Sequence, residues 1–213
     1  ALLLDRDMRV VARGYHEHRQ FFPKPGWVEH VPQEILDSLL KAAEQAMRNA
    51  GVCWEQIRSI GLANQGETCL MWDRYTGEPV YPAIVWQDRR TSTAADALAQ
   101  QHREDIQQRT GLIVDGYFSA TKLQWIMDNV PQVRERIEKG QLLAGTLDSW
   151  LVWKLTGGAL HVTDCATASR TMLFNIHEKR WDTVLLDLLG VPKEILPQVR
   201  ECAGDFGTTL PRY

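Results

Sequence analysis

Between residues 57 and 90, three short apolar runs follow one another, and each gives way to polar side chains. The first covers 57–63 and closes on Asn64, Gln65, Gly66 and Glu67. The second covers 69–72 and leads into a turn at 73–77; the third covers 80–86 and closes on Gln87, Asp88, Arg89 and Arg90. Short apolar runs bounded by turn formers read as buried or half-buried strands. Polar groups at strand ends, held on a rigid sheet, are where α/β proteins place their ligands. This stretch therefore predicts a pocket in which a carboxylate, Glu67, stands near an indole, Trp86.

The flanking sequence supplies the other layers. Residues 1–4 and 9–15 read as a β-hairpin around the turn Asp5-Arg6-Asp7. Residues 21–31 carry three aromatics and two prolines, which suits an ordered loop. Pro32 fits a first helical position; Ile35, Leu36, Leu39, Leu40, Ala43 and Met47 repeat at helical spacing, and Gly51 stops the run. Further on, the pattern predicts a helix over 91–103 and a short one over 104–109. Helices at 119–130 and 133–139, a brief strand at 142–144 and a helix capped by Thr146 follow. Asp148 falls in the first turn of that last helix, where a negative charge suits the helix dipole. A final helix covers 181–189, and 197–213 has no period and reads as the start of a linker. Strands alternating with helices make the chain α/β.

Bulk properties exclude several classes. At 213 residues, with 44% apolar and 24% charged side chains, the chain suits a folded globular domain or two small ones. A net charge of −3 gives no general pull toward nucleic acid or anionic membrane. No apolar run reaches the length of a membrane span, and no signal-peptide pattern opens the chain. The four cysteines show no CxxC spacing, which suits reduced thiols and a cytoplasmic setting.

Each chemical motif has a plainer rival. Gly61 to Thr68 has the glycine spacing of a phosphate loop, but Glu67 stands where that loop needs lysine, so the match fails on charge. Glu67 alone could be a surface carboxylate; Trp86 and Tyr117 could be core aromatics. Asp88 or Asp115 could pair with Glu67 as in a glycosidase, although nothing in the spacing selects them. His16 and His18 would share a strand face, but no third ligand accompanies them, so no metal site is expected. Arg89 and Arg90 read as salt-bridged near the edge of the sheet.

Six segments taken together resemble the FGGY family of carbohydrate kinases: KPGWVEH from Lys24, NQGET from Asn64, PAIVWQDRRT from Pro82, DGYFSATKLQWIMDN from Asp115, GTLDSWLVWKLTGG from Gly145 and HVTDCATASRTMLFNI from His161. They fall in the family's order, and Tyr117, Ser119, Lys122, Trp125, Asp128 and Asn129 fit its first signature pattern. The resemblance implies an actin-like, ribonuclease-H-like ATPase fold, a mixed sheet flanked by helices, in two domains with the active site between them. Residues 1–213 resemble the N-terminal domain without its first strand and D-x-G-T phosphate-binding turn; Asp5 does not take the role of that turn's aspartate. The C-terminal domain, with the general base and most of the nucleotide site, is expected outside this sequence. No catalytic residue is expected here, and the fragment alone is expected to be inactive.

By the same resemblance, Glu67, Trp86 and Tyr117 match positions that hold glycerol in the family's glycerol kinases. A carboxylate accepts from two adjacent hydroxyls while the rings pack on the carbon chain. One position departs: those kinases carry arginine where this chain has Gly66. Loss of a guanidinium removes a fork of donors and opens the pocket, which favours a polyol or sugar longer than glycerol, with water or another side chain filling the gap. The implied activity is transfer of the ATP γ-phosphoryl group, with Mg²⁺, to a primary hydroxyl of glycerol or a related polyol or sugar. The expected partners are that small substrate and the C-terminal domain, with self-association left open and neither nucleic acid nor membrane involved. The alternatives are a non-catalytic polyol- or sugar-sensing relative and an actin-like scaffold protein.

Overall fold

A computed structural model describes residues 1–211 and residue 213. The chain opens with the antiparallel hairpin β1 (Leu2–Leu4) and β2 (Val10–Arg13). Asp5 Oδ1 accepts from the amides of Asp7 and Arg9 and closes its turn. Strand β3 (Glu29–His30) and helix α1 (Pro32–Ala50) follow. Pro32 fills the first turn of α1, where no amide donor is needed, and Gly51 ends it in the left-handed region at φ 68°. The remaining elements are β4 (Cys69–Asp73), β5 (Ala83–Ile84), α2 (Ser92–Thr110), α3 (Ser119–Asn129), α4 (Val133–Glu138), β6 (Leu142–Thr146), α5 (Leu147–Leu155), β7 (Val162–Asp164), α6 (Cys165–Ala168), β8 (Phe174–Asn175), β9 (Arg180–Trp181), α7 (Thr183–Leu189) and β10 (Gln198–Arg200).

The central sheet has the order β3-β5-β4-β6 and is antiparallel throughout. β7 and β10 form a separate parallel pair, so both strand senses occur, in different ladders. Cys69, Leu70, Met71 and Trp72 of β4 are all fully buried, because the sheet has a core on each face. The period-2 alternation sorts them. Cys69 and Met71 join Leu142, Ala144, Ile106, Leu123 and Ile126 in one core, built with α2, α3 and α7. Leu70 and Trp72 join Leu36, Leu143, Trp150 and Trp153 in the other, built with α1 and α5. No helix among the described residues is long and apolar enough to cross a membrane.

Several segments differ from the sequence pattern. Residues 57–63 form no strand: apart from Ile57, which closes a 3-10 turn over Trp54–Gln56, the backbone there finds no ladder partner among the described residues. Apolar periodicity marks a segment able to pair, and pairing needs a neighbour. The third run is a strand only at Ala83–Ile84, with Val80 bonded singly to Met71. The two helices expected over 91–109 are one helix, α2, because no glycine or proline interrupts the run before Gly111. The 197–213 tail is not a linker: β10 pairs with β7, and Leu210 N donates to Leu155 O at 2.8 Å. His16 and His18 lie in irregular backbone after β2 rather than on a strand.

Candidate functional site

The loops at one end of β4 and β5 build the site. Thr68 anchors the turn before β4: its amide donates to Gln65 O at 3.1 Å and its hydroxyl to Gln65 Oε1 at 2.8 Å. The same hydroxyl accepts from Trp86 N at 3.3 Å, which draws the end of β5 beside Glu67. Ser119 Oγ donates to Glu67 O at 3.1 Å and ties in the first turn of α3. Ala120 N donates to Thr171 O at 2.9 Å, bringing the segment after α6 to the same place.

Gly66, Glu67, Trp86 and Tyr117 therefore converge from three separate stretches of chain. The rings of Trp86 and Tyr117 lie 5.5 Å apart, tilted by 59°, and Trp86 remains 37% exposed. Glu67 is 7% exposed. Arg170, absent from the residues that sequence spacing singles out, completes the group. Its Nε donates to Glu67 Oε1 at 2.7 Å, and its guanidinium carbon lies 6.0 Å from the Tyr117 ring centre and 5.1 Å from that of Phe118. Arg170 and Glu67 are 103 positions apart, so no local pattern could have paired them.

Lys122 supports the aromatic side. It is fully buried, and its Nζ donates to the carbonyls of Tyr117 and Phe118. Burial pulls its pKa down to about 8 against the opposing pull of Cys69, Asp88, Glu67 and Asp115. Asp115 Oδ1 also accepts from Tyr117 N at 2.7 Å, so the loop bearing the phenol is pinned on both sides.

The remaining candidates go elsewhere. Asp88 accepts from Val28 N at 2.6 Å and pairs with Arg90 at 2.8 Å; the same guanidinium reaches Glu29 at 2.7 Å, and all three side chains are buried. Trp27 and Trp125 flank Arg90 at 3.7 and 4.6 Å. Asp115 pairs with Arg89. Each aspartate is paired with an arginine of its own, as Glu67 is with Arg170, so nothing singles either out as a glycosidase partner of Glu67. Asn64 donates to Asp148 at 3.0 Å. Asp148 lies in the first turn of α5, as the pattern predicts, but is largely buried there. It accepts from Thr163 as well, and burial raises its pKa despite these hydrogen bonds. His16 bonds Ser38 and His18 packs edge-on against His30. Among the described residues, no group of three or more His, Cys, Asp or Glu is placed to hold a metal ion.

Two concavities lie apart from this group. One, of about 690 Å³, runs over polar side chains of α2 between Ala99 and Gln108, with no convergent chemistry. The other, of about 540 Å³, lies between residues 57–62, Val152, Leu155 and Tyr213. Neither includes Glu67. We place the site at Glu67 because a buried carboxylate, a guanidinium and two rings meet there, which hollow volume alone does not provide.

The architecture is that of the actin-like α/β ATPases. A crystal structure of Plasmodium falciparum glycerol kinase with ADP superposes with a TM-score of 0.91 at 32% identity, covering 99% of this chain and 42% of that one. A gluconate kinase from Lactobacillus acidophilus shares the fold at a TM-score of 0.85 and 20% identity, over 99% of this chain and 41% of that one. The model of the N-terminal domain of the FGGY family of carbohydrate kinases matches residues 1–213, and the chain belongs to that family. It is 51% identical over 209 residues to a glycerol kinase of Deinococcus radiodurans, covering 98% of this chain and 42% of that protein. A second relative, glycerol kinase 2 of Thermotoga maritima, is 50% identical over 210 residues, again 98% of this chain and 42% of that protein.

Proposed function

We propose that the protein to which this chain belongs transfers the γ-phosphoryl group of ATP to a primary hydroxyl of glycerol or a related polyol or sugar. These residues act as its N-terminal, substrate-holding domain. The observation that carries this reading is the meeting of buried Glu67, Arg170 and the tilted Trp86–Tyr117 pair at one end of the sheet. Glu67 Oε2 has no hydrogen-bond partner among the described residues and accepts from a substrate hydroxyl. Trp86 and Tyr117 pack on the carbon chain and keep water from it. The phenol gives one further polar contact. Similarity to glycerol kinases over nearly the whole chain supports the reaction class.

The chain spans 42% of the length of these relatives, so the nucleotide site and the group that takes the hydroxyl proton are assigned to the rest of the protein. ATP would supply the transferred group, and Mg²⁺, held with it by the rest of the protein, would supply charge neutralisation. The part played here is positioning: a hydroxyl held against Glu67 is set for in-line attack once the domains close.

The test uses the complete protein and a panel of glycerol, erythritol, pentitols and hexoses, with ATP consumption as readout. One polyol or sugar should be turned over, and Glu67→Gln should lower its kcat/KM on the order of 100-fold, since a hydrogen bond to a charged acceptor is lost. Turnover of the whole panel at the buffer rate, with binding retained, would replace the kinase by a sensor.

A further inference from the structure

Arg170, from another loop, runs alongside Gly66. A Cβ built at Gly66 would lie 3.4 Å from Arg170 Cγ and 3.7 Å from its Cβ, so the Arg170 stem borders the volume into which a residue 66 side chain would grow. The guanidinium rests on Phe118 and Tyr117 and touches Glu67 through Nε alone. Neither terminal nitrogen has a hydrogen-bond partner among the described residues, and the side chain is 40% exposed. A guanidinium that only neutralised a buried carboxylate would normally engage it with both prongs of its fork. Here one prong is used, and Glu67 keeps one oxygen unpaired.

We propose that Arg170 orients the substrate and sets its specificity. It fixes Glu67 through Oε1 and presents its terminal N–H groups to a second hydroxyl of the polyol, adjacent to the one that Glu67 accepts. The inference rests on the polyol-kinase reading above. The Arg170 stem borders residue 66, so the two positions face the same part of the pocket. An arginine at 66 would compete with Arg170 for the same volume and the same carboxylate.

The experiment measures KM and kcat of the complete enzyme on its best polyol and on the next shorter and longer ones, with calorimetric polyol binding as a second readout. Arg170→Ala should raise KM and Kd by roughly 30-fold, with a smaller effect on kcat, because charge-assisted bonds to the substrate are lost. Arg170→Lys should recover only part of this, since an ammonium lacks the planar fork. Gly66→Arg on the Arg170→Ala background should recover binding and change which polyol length is preferred. A positioning role confined to Glu67 would instead be restored in full by Arg170→Lys, with no change in preference. That outcome, or a KM for Arg170→Ala within about 3-fold of the parent, overturns the inference. Should Arg170→Ala lose its folded circular-dichroism signal, Arg170→Lys and Arg170→Gln carry the same comparison. Failure of the parent enzyme to turn over or bind any polyol defeats the polyol-kinase reading first, and this inference with it. A working parent with indifferent Arg170 variants defeats the inference alone.

Discussion

At the scale of single residues, burial decides chemistry more than residue type does. His30 is fully buried, and neither ring nitrogen has a hydrogen-bond partner among the described residues. Burial first, and then His18 beside it, pull its pKa from 6.5 down to about 4. The folded protein therefore keeps His30 neutral at a pH where the unfolded chain takes up a proton. Its contribution is fully present above pH 6.5 and is lost as the pH falls to about 4, up to about 3 kcal/mol in all. His161, also pulled to about 4 chiefly by burial, acts in the same sense. His30→Leu should cost little at pH 7 and flatten part of the acid limb in urea titrations from pH 7 to 4. An unchanged acid limb would show that His30 is not its source. His30 illustrates what sequence withheld at this scale. Its identity was plain, but its isolation depends on neighbours from distant segments. Arg170 was hidden for the same reason.

At the scale of elements, most of the chain was legible because local rules govern it. The hairpin, α1, α3, α4 and α7 follow from periodicity, capping and stop residues, and Asp182 caps α7 by accepting from Val184 and Leu185 amides. Boundaries failed where the local signal was silent, as between the two halves of α2. Glycines show how context modifies a local rule. Gly77 and Gly51 both have positive φ, 74° and 68°, but a Cβ at Gly77 would sit 2.1 Å from Trp153 Cζ3 whereas one at Gly51 would meet nothing within 4 Å. Gly77→Ala should cost on the order of 3 kcal/mol, combining backbone strain with displacement of a core indole. Gly51→Ala should cost about 1 kcal/mol, from strain alone. Urea midpoints of the two variants measure the difference, and equal costs would mean that the Trp153 contact yields freely.

At the scale of the whole molecule, the α/β class could be read from the alternation of elements, whereas the pairing of strands could not: Glu67 was read at the close of a strand over 57–63 and instead lies in the turn before β4. Residues 57–63 have the composition of a strand and no ladder, so their amides should exchange with solvent deuterium orders of magnitude faster than those of Leu70 and Trp72 in the β4–β6 ladder. Comparable protection in the two segments would contradict the described pairing. The Arg90 cluster points the other way, toward long-range closure. Arg90 joins Glu29, 61 positions earlier, and is enclosed by Trp27, Tyr81 and Trp125. Such contacts cannot form until distant segments have met, and the entropy of closing those loops is spent beforehand. On this ground the cluster is predicted to form late in folding. Because Trp86 stands two positions before Asp88, the aromatic wall of the candidate site matures in the same step, and refolding protein should regain ligand binding only when the indoles around Arg90 reach their final fluorescence.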